Sequence, residues 1–270
     1  MQGRLLPKYK GRYQAHPVGY WQDEFPIAAG LKLDLIEFIF DYNEWEKNPL
    51  MSTSGLEKIQ KTVEMTGVGV KTVCADYFME APLHSEDSRI VKQSQQVLKK
   101  LLLNCGQLKI TDIVIPCVDQ SSLLGKSSMD RFVTNLKPYI EDAKRAKINL
   151  ALETDLPPLV FSDLLERFNS PVITVNYDTG NSASLGFDPK EEVETYGQRI
   201  TDLHIKDRVK NGASVLLSTG DTQFKSFFDA LSALNFQGPI IMQAYRDDEG
   251  IGVFKKQLAW LRALLSEIVQ

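Results

Sequence analysis

Eight short apolar runs of β character alternate with eight segments of helical period, and this alternation constrains the fold more than any other feature of the chain. The runs fall at about 12–16 (RYQAH), 33–40 (LDLIEFIF), 70–76 (VKTVCAD), 111–117 (TDIVIPC), 148–153 (INLALE), 172–178 (VITVNYD), 200–206 (ITDLHIK) and 239–244 (PIIMQA). Aliphatic and β-branched residues bounded by Pro, Asn, Gly or Asp are the mark of buried strands. Helical segments are expected at 22–30, 53–67, 86–106, 127–146, 157–168, 188–199, 222–235 and 251–268. Ser52 to Ser54, Ser85 to Asp87 and Asp188-Pro189 supply helix entry signals, and Gly67, Gly106 and Gly238 punctuate the exits. Strands that alternate with helices form a mostly parallel sheet. Eight such units in 270 residues favour closure into a single α/β domain, a (β/α)8 barrel over 1–270. An open dinucleotide-binding sheet would need a Gly-rich turn after the first strand, and none is present there.

Four of the runs carry a polar residue late in the strand: Glu153, Asp178, His204 and Gln243. Side chains at the carboxyl ends of neighbouring parallel strands converge on one face, where ligand sites form. The spacings are 25 residues from Glu153 to Asp178, 26 on to His204 and 39 on to Gln243, each close to one βα unit. Singly, an acidic residue at a strand end is a helix cap or surface charge, and a lone strand His is a satisfied core residue. Four in consecutive units read as a site, and Lys206 and Asp207 shortly after His204 mark a polar strand end. Two carboxylates, an imidazole and an amide oxygen suit one divalent ion, Mn²⁺, Zn²⁺, Co²⁺ or Mg²⁺. Such an ion can chelate adjacent carbonyl and hydroxyl oxygens of a sugar and stabilise an enediolate, with Glu153 as the base that removes the proton.

A formal net charge of −4 gives no electrostatic footprint for a nucleic-acid backbone. The basic amino terminus, MQGRLLPKYKGRYQ, lacks the apolar stretch of a signal peptide, and no run approaches membrane-spanning length, so a cytoplasmic location is expected. Cys74, Cys105 and Cys117 lie in or beside apolar runs without metal-pair spacing and read as reduced core thiols. Trp21, Phe40, Trp45 and Phe78 read as ordinary packing before they read as a wall for a sugar ring.

The stretches LETD (152–155), NYDTGNSASLGFDP (176–189), LHIKDR (203–208) and GDTQF (220–224) resemble the sugar phosphate isomerase/epimerase superfamily with the xylose isomerase-like TIM barrel. IEFIFD (36–41) and PLHSED (82–87) resemble its hexulose-6-phosphate isomerase and L-ribulose-5-phosphate 3-epimerase branch. The resemblance implies one divalent metal held by Glu153, Asp178, His204 and a final Glu, with the two glutamates exchanging protons on opposite faces of a sugar or sugar phosphate. This chain has Gln243 at the last position, and an amide does not titrate near neutral pH. Isomerisation needs the proton moved along one face, which Glu153 alone can do; epimerisation needs another base. Lys206 and Asp207 are expected to orient His204 or substrate, Arg208 and Arg246 to hold a phosphate or carboxylate, Glu37 to hydrogen-bond substrate hydroxyls, and His84 and Asn181 to line the pocket. An inosose-type dehydratase and a sugar-binding barrel without turnover are the alternatives. An apurinic endonuclease is disfavoured, since the chain has three histidines in all. Fold analogy also allows a homo-oligomer.

Overall fold

The computed structural model describes residues 1–3, 5–247 and 250–268. Among them are nine strands: β1 Phe38–Ile39, β2 Thr72–Cys74, β3 Asp112–Cys117, β4 Asn149–Thr154, β5 Ile173–Asp178, β6 Ile200–Ile205, β7 Asp207–Arg208, β8 Ser214–Val215 and β9 Ile240–Met242. Seven pair in the order β1-β2-β3-β4-β5-β6-β9, every pairing parallel, while β7 and β8 form a small antiparallel hairpin. Seven of the eight expected strands are therefore found at their expected places.

The first is not. Residues 12–16 form no strand; Tyr9 and Arg12 pair in a tight turn, and Ala15 N donates to Tyr13 O. The opening stave is Met1–Gln2: Gln2 bridges Glu37 in parallel, Glu37 N donates to Met1 O at 2.8 Å, and Gln2 N donates to Met242 O at 3.3 Å. These bonds join β9 back towards β1 and close the sheet. Residues 12–16 failed as a strand because their polar side chains have partners elsewhere, Arg12 on Asp41 and Gln14 on Asp76. A two-residue stave is too short to show a period.

Along each long strand the side chains alternate between two environments. Ile113, Ile115, Leu150, Leu152, Val175, Leu203 and Ile205 belong to the main apolar core packed against the helices. Burying each such side chain contributes about 1.5–3 kcal/mol. The alternate positions are small or polar: Cys74, Val114 and Ala151 form a separate apolar cluster, and Asn176, Asp178, Asp202 and His204 are buried polar groups. The outward series holds the barrel together, which leaves the inward series to carry chemistry.

The helices begin largely where the capping signals place them. Ser52 Oγ accepts from Gly55 N at the head of Thr53–Thr66, Asp87 caps Ser88–Gln107, and Asp188 caps Pro189–Tyr196. Gly67 ends the first of these at φ 73°, a left-handed conformation that only glycine adopts freely. Gly106 is no exit: its helix runs on to Gln107, and a Cβ there would meet Ala146 Cβ at 3.4 Å, so the glycine serves a close helix approach. The segment expected as one helix over 127–146 is broken into Gly125–Leu136 and Ile140–Ala146 around a 3₁₀ turn holding Pro138, which lacks the N–H a continuous helix needs. Trp21, Phe40 and Phe78 are core residues, and Trp45 packs edge-on to Tyr77.

Candidate metal centre and active site

The parallel register brings the expected residues together. Asp178 pairs with His204 and Pro116 with Glu153, and Gln243 follows directly on β9, all at the carboxyl end of the sheet. Glu153, Asp178 and His204 each present a ligand-type atom, and the three atoms lie within 4.8 Å of one another. Donors on opposite sides of a single ion with bonds of about 2.0–2.6 Å are roughly this far apart.

Each donor is held by its neighbours. Asp178 caps the helix Thr179–Leu185, its Oδ1 accepting from Gly180 N and Asn181 N at 2.9 Å each, which leaves Oδ2 facing Lys206 Nζ at 2.8 Å. Gly180 is required there, because a Cβ would stand 2.8 Å from Lys206 Cγ and 3.1 Å from its carbonyl carbon. Glu153 Oε1 accepts from Asn181 Nδ2 at 2.6 Å and its Oε2 from Asn176 Nδ2 at 2.9 Å. His204 Nε2 lies 2.8 Å from Glu37 Oε1, and its Nδ1 lies 3.5 Å from Glu153 Oε2 and 3.9 Å from Asp178 Oδ2. Burial disfavours charge on His204, but Glu37 and Glu153 outweigh it and hold the imidazolium well above its usual range. Burial pushes Glu37 up, and His204, aided by Asp202 and Thr72, more than reverses it.

The amide at 243 is also oriented. Gln243 Nε2 donates to Gln2 Oε1 at 2.6 Å, and Gln243 Oε1 is left buried without a donor. A buried carbonyl-type oxygen without a partner costs free energy that a cation would recover. Three convergent donors, a carboxylate on the far side of the imidazole and this orphaned oxygen together fit one divalent ion.

A cavity of about 340 Å³ opens beside these groups, lined in part by Glu153, Gln243, Asn181, Lys206, Arg208 and Asp76. Of the expected substrate contacts, Asn181, Lys206 and Arg208 are on its wall, with Arg208 Nη1 donating to Asn181 Oδ1 at 2.9 Å. Glu37 stands behind His204 at 1% exposure. His84 packs edge-on to Phe132. Asp207 turns away to accept from Gly220 N and Thr222 N, which ties down the following loop. Arg246 lies over the Tyr13 ring at 4.7 Å. A larger cavity of about 400 Å³ at the amino end of the strands has Asp112 as its one ionisable wall residue and lacks any convergent donor set.

Sequence reasoning missed Asn176, Gln2 and Asp76. Asn176 was within reach: it lies two residues before Asp178 and so shares its face. Gln2 carried no signal, since its place depends on barrel closure alone.

Residues 25–264 match the model of the xylose isomerase-like TIM barrel family, and the chain belongs to that family. It is 24% identical over 270 residues to an L-ribulose-5-phosphate 3-epimerase, UlaE, of Shigella flexneri serotype 5b, covering 94% of this chain and 93% of that protein. Among solved structures it resembles the apo form of 3-keto-D-glucoside 4-epimerase, YcjR, from E. coli, with a TM-score of 0.72, 15% identity and coverage of 90% and 94% of the two chains. It also resembles a xylose isomerase-like TIM barrel protein from Mycobacterium smegmatis in complex with magnesium, with a TM-score of 0.71, 15% identity and coverage of 94% and 90%.

Proposed function

We propose that this chain is a divalent-metal-dependent isomerase or epimerase of sugars or sugar phosphates, acting through an enediolate. Its place in the isomerase class is carried by the family and by the epimerase relative matched along nearly its whole length. The observation that carries the chemistry is the convergence of Glu153, Asp178 and His204, with Glu153 and Gln243, whose amide oxygen is orphaned, on the wall of one cavity.

Glu153, Asp178, His204 and Gln243 are the residues that would hold the ion. When bound, it supplies Lewis-acid stabilisation of negative charge on adjacent substrate oxygens. Glu153 removes the proton beside the carbonyl, with Asn176 and Asn181 fixing its carboxylate. Glu37 holds the His204 Nε2 proton, so Nδ1, whose proton a bound ion would displace, is the nitrogen turned towards Glu153 and Asp178. Lys206 and Arg208 on the cavity wall offer positive charge to hydroxyl, carboxylate or phosphate groups of the substrate.

One feature favours a second reading, a sugar-binding barrel without turnover: the amide at 243 cannot exchange a proton. Deuterium wash-in from D₂O separates the two. The enzyme reading expects wash-in to a ketose or ketose phosphate with Mn²⁺ added, abolished in Glu153→Gln. Sugar binding with no wash-in across such a panel would establish the binding protein instead.

A further inference from the structure

Inverting a carbon beside a carbonyl requires a proton removed from one face and another delivered to the opposite face. Glu153 serves one face, and Gln243 titrates at neither. The cavity has another carboxyl wall. Asp76 follows β2, whereas Glu153 is on β4, with β3 standing between them. Two strand spacings of about 4.8 Å each separate those staves, leaving room for a sugar carbon between the two carboxyls.

Resting on the enolisation reading, we propose that Asp76 is the second acid–base group of this site, serving the face of the enediolate opposite Glu153. Asp76 is half-buried and lines the same cavity of about 340 Å³ as Glu153 and Gln243. Its carboxylate is fixed rather than loose: Oδ2 accepts from Gln14 Nε2 at 3.0 Å and Oδ1 from Cys74 Sγ at 3.2 Å. Asp119, the other carboxylate on this wall besides Glu153, is exposed. Burial pushes Asp76 up, the Cys74 and Gln14 bonds pull it down, Asp41 and Glu153 push it up again, and the result is about 6. A carboxyl so poised is populated in both protonation states near neutral pH.

The protons balance. Glu153 carboxylate takes the C–H proton, and the electron pair of that bond moves into the enediolate. Protonated Asp76 gives its proton to the opposite face as the carbonyl reforms. Glu153 ends protonated and Asp76 ionised; one proton lost to water and one gained from water reset them.

The test uses the full chain with Mn²⁺ in D₂O and a panel of ketoses and ketose phosphates, reading label wash-in and epimer formation by NMR. In Asp76→Asn and Asp76→Ser the ratio of epimer formed to label washed in is expected to fall by about 100-fold or more, with partial recovery in Asp76→Glu. Wild-type epimerisation is expected to show a limb near pH 6 that the wash-in profile of Asp76→Asn lacks. An unchanged ratio in both Asp76 variants overturns the assignment and leaves the enolisation reading standing. Wild-type wash-in without any epimer likewise overturns Asp76 alone, whereas no wild-type wash-in overturns both.

Discussion

Glu37 Oε1 and His204 Nε2 are 2.8 Å apart, a contact between side chains fully buried and 167 residues distant along the chain. Because Glu37 accepts at Nε2, the imidazole can present Nδ1 to Glu153 and Asp178, so a residue off the cavity wall decides which nitrogen faces the two carboxylates. Outer partners of this kind are conserved features of metal sites for the same reason: they fix tautomer and ring orientation.

Glu37→Gln is accordingly expected to weaken binding of Mn²⁺ or Zn²⁺ by about 10–100-fold. Chelator competition would measure it. Glu37→Ala should additionally lower stability, by about 3–5 kcal/mol in urea unfolding, because the imidazolium loses its buried partner. Metal affinity unaltered in Glu37→Gln would contradict the orienting role.

At position 243 charge and coordination can be varied separately. Gln243→Glu keeps an oxygen donor and adds a negative charge, so metal affinity should rise. Gln243→Leu removes the donor and should lose more than the about 10–100-fold typical of an outer partner. Equal affinity in all three proteins, by isothermal calorimetry, would place the amide outside the coordination sphere.

Gly180→Ala sets a methyl group 3.1 Å from the Lys206 carbonyl carbon. Overpacking of this kind costs about 1–3 kcal/mol, and here it also pushes Lys206 from Asp178. The expected result is a lower Tm together with loss of wash-in. A variant with wild-type values of both would show that the helix and β6 can part without consequence.

His16 packs against Trp21 and Phe38, and burial pushes its pKa down from 6.5 to about 4. The folded state therefore keeps His16 neutral where the unfolded chain is protonated. Its contribution to stability is whole above pH 6.5 and declines as pH falls to about 4, for a total of about 3 kcal/mol. His16→Gln should remove that slope, seen as a pH-dependent difference in urea midpoints from the wild type. A constant difference from pH 7 to 4 would disprove it.

The strand and helix order was legible because each long strand shows its outward apolar series, Ile113 and Ile115 or Leu150 and Leu152, in a period that few other structures impose. Glu153, Asp178, His204 and Gln243 could be placed on one face because parallel strands in sequence order are neighbours in space. What stayed hidden depends on contacts between distant segments. Glu37 read as a pocket residue since its strand position is right; nothing local says that its carboxylate is taken by His204. The opening stave was misplaced at 12–16 because Met1–Gln2 is defined by what it bonds to, β9 on one side and Glu37 on the other. Asp76 gave no signal because its unusual acidity comes from burial and from Asp41 and Glu153, which only the assembled barrel supplies.

The bonds that hold the imidazole and the amide tie the opening staves to later strands: Glu37 to His204, and Gln2 to Gln243. A folding intermediate that had already joined β3 to β6 would own the two carboxylates and the imidazole, yet its Nε2 would lack Glu37 and its amide would be unaimed. If these four residues hold an ion, competence to capture it arrives with the last step of cyclisation, and uptake of metal would report when the ring of strands has shut.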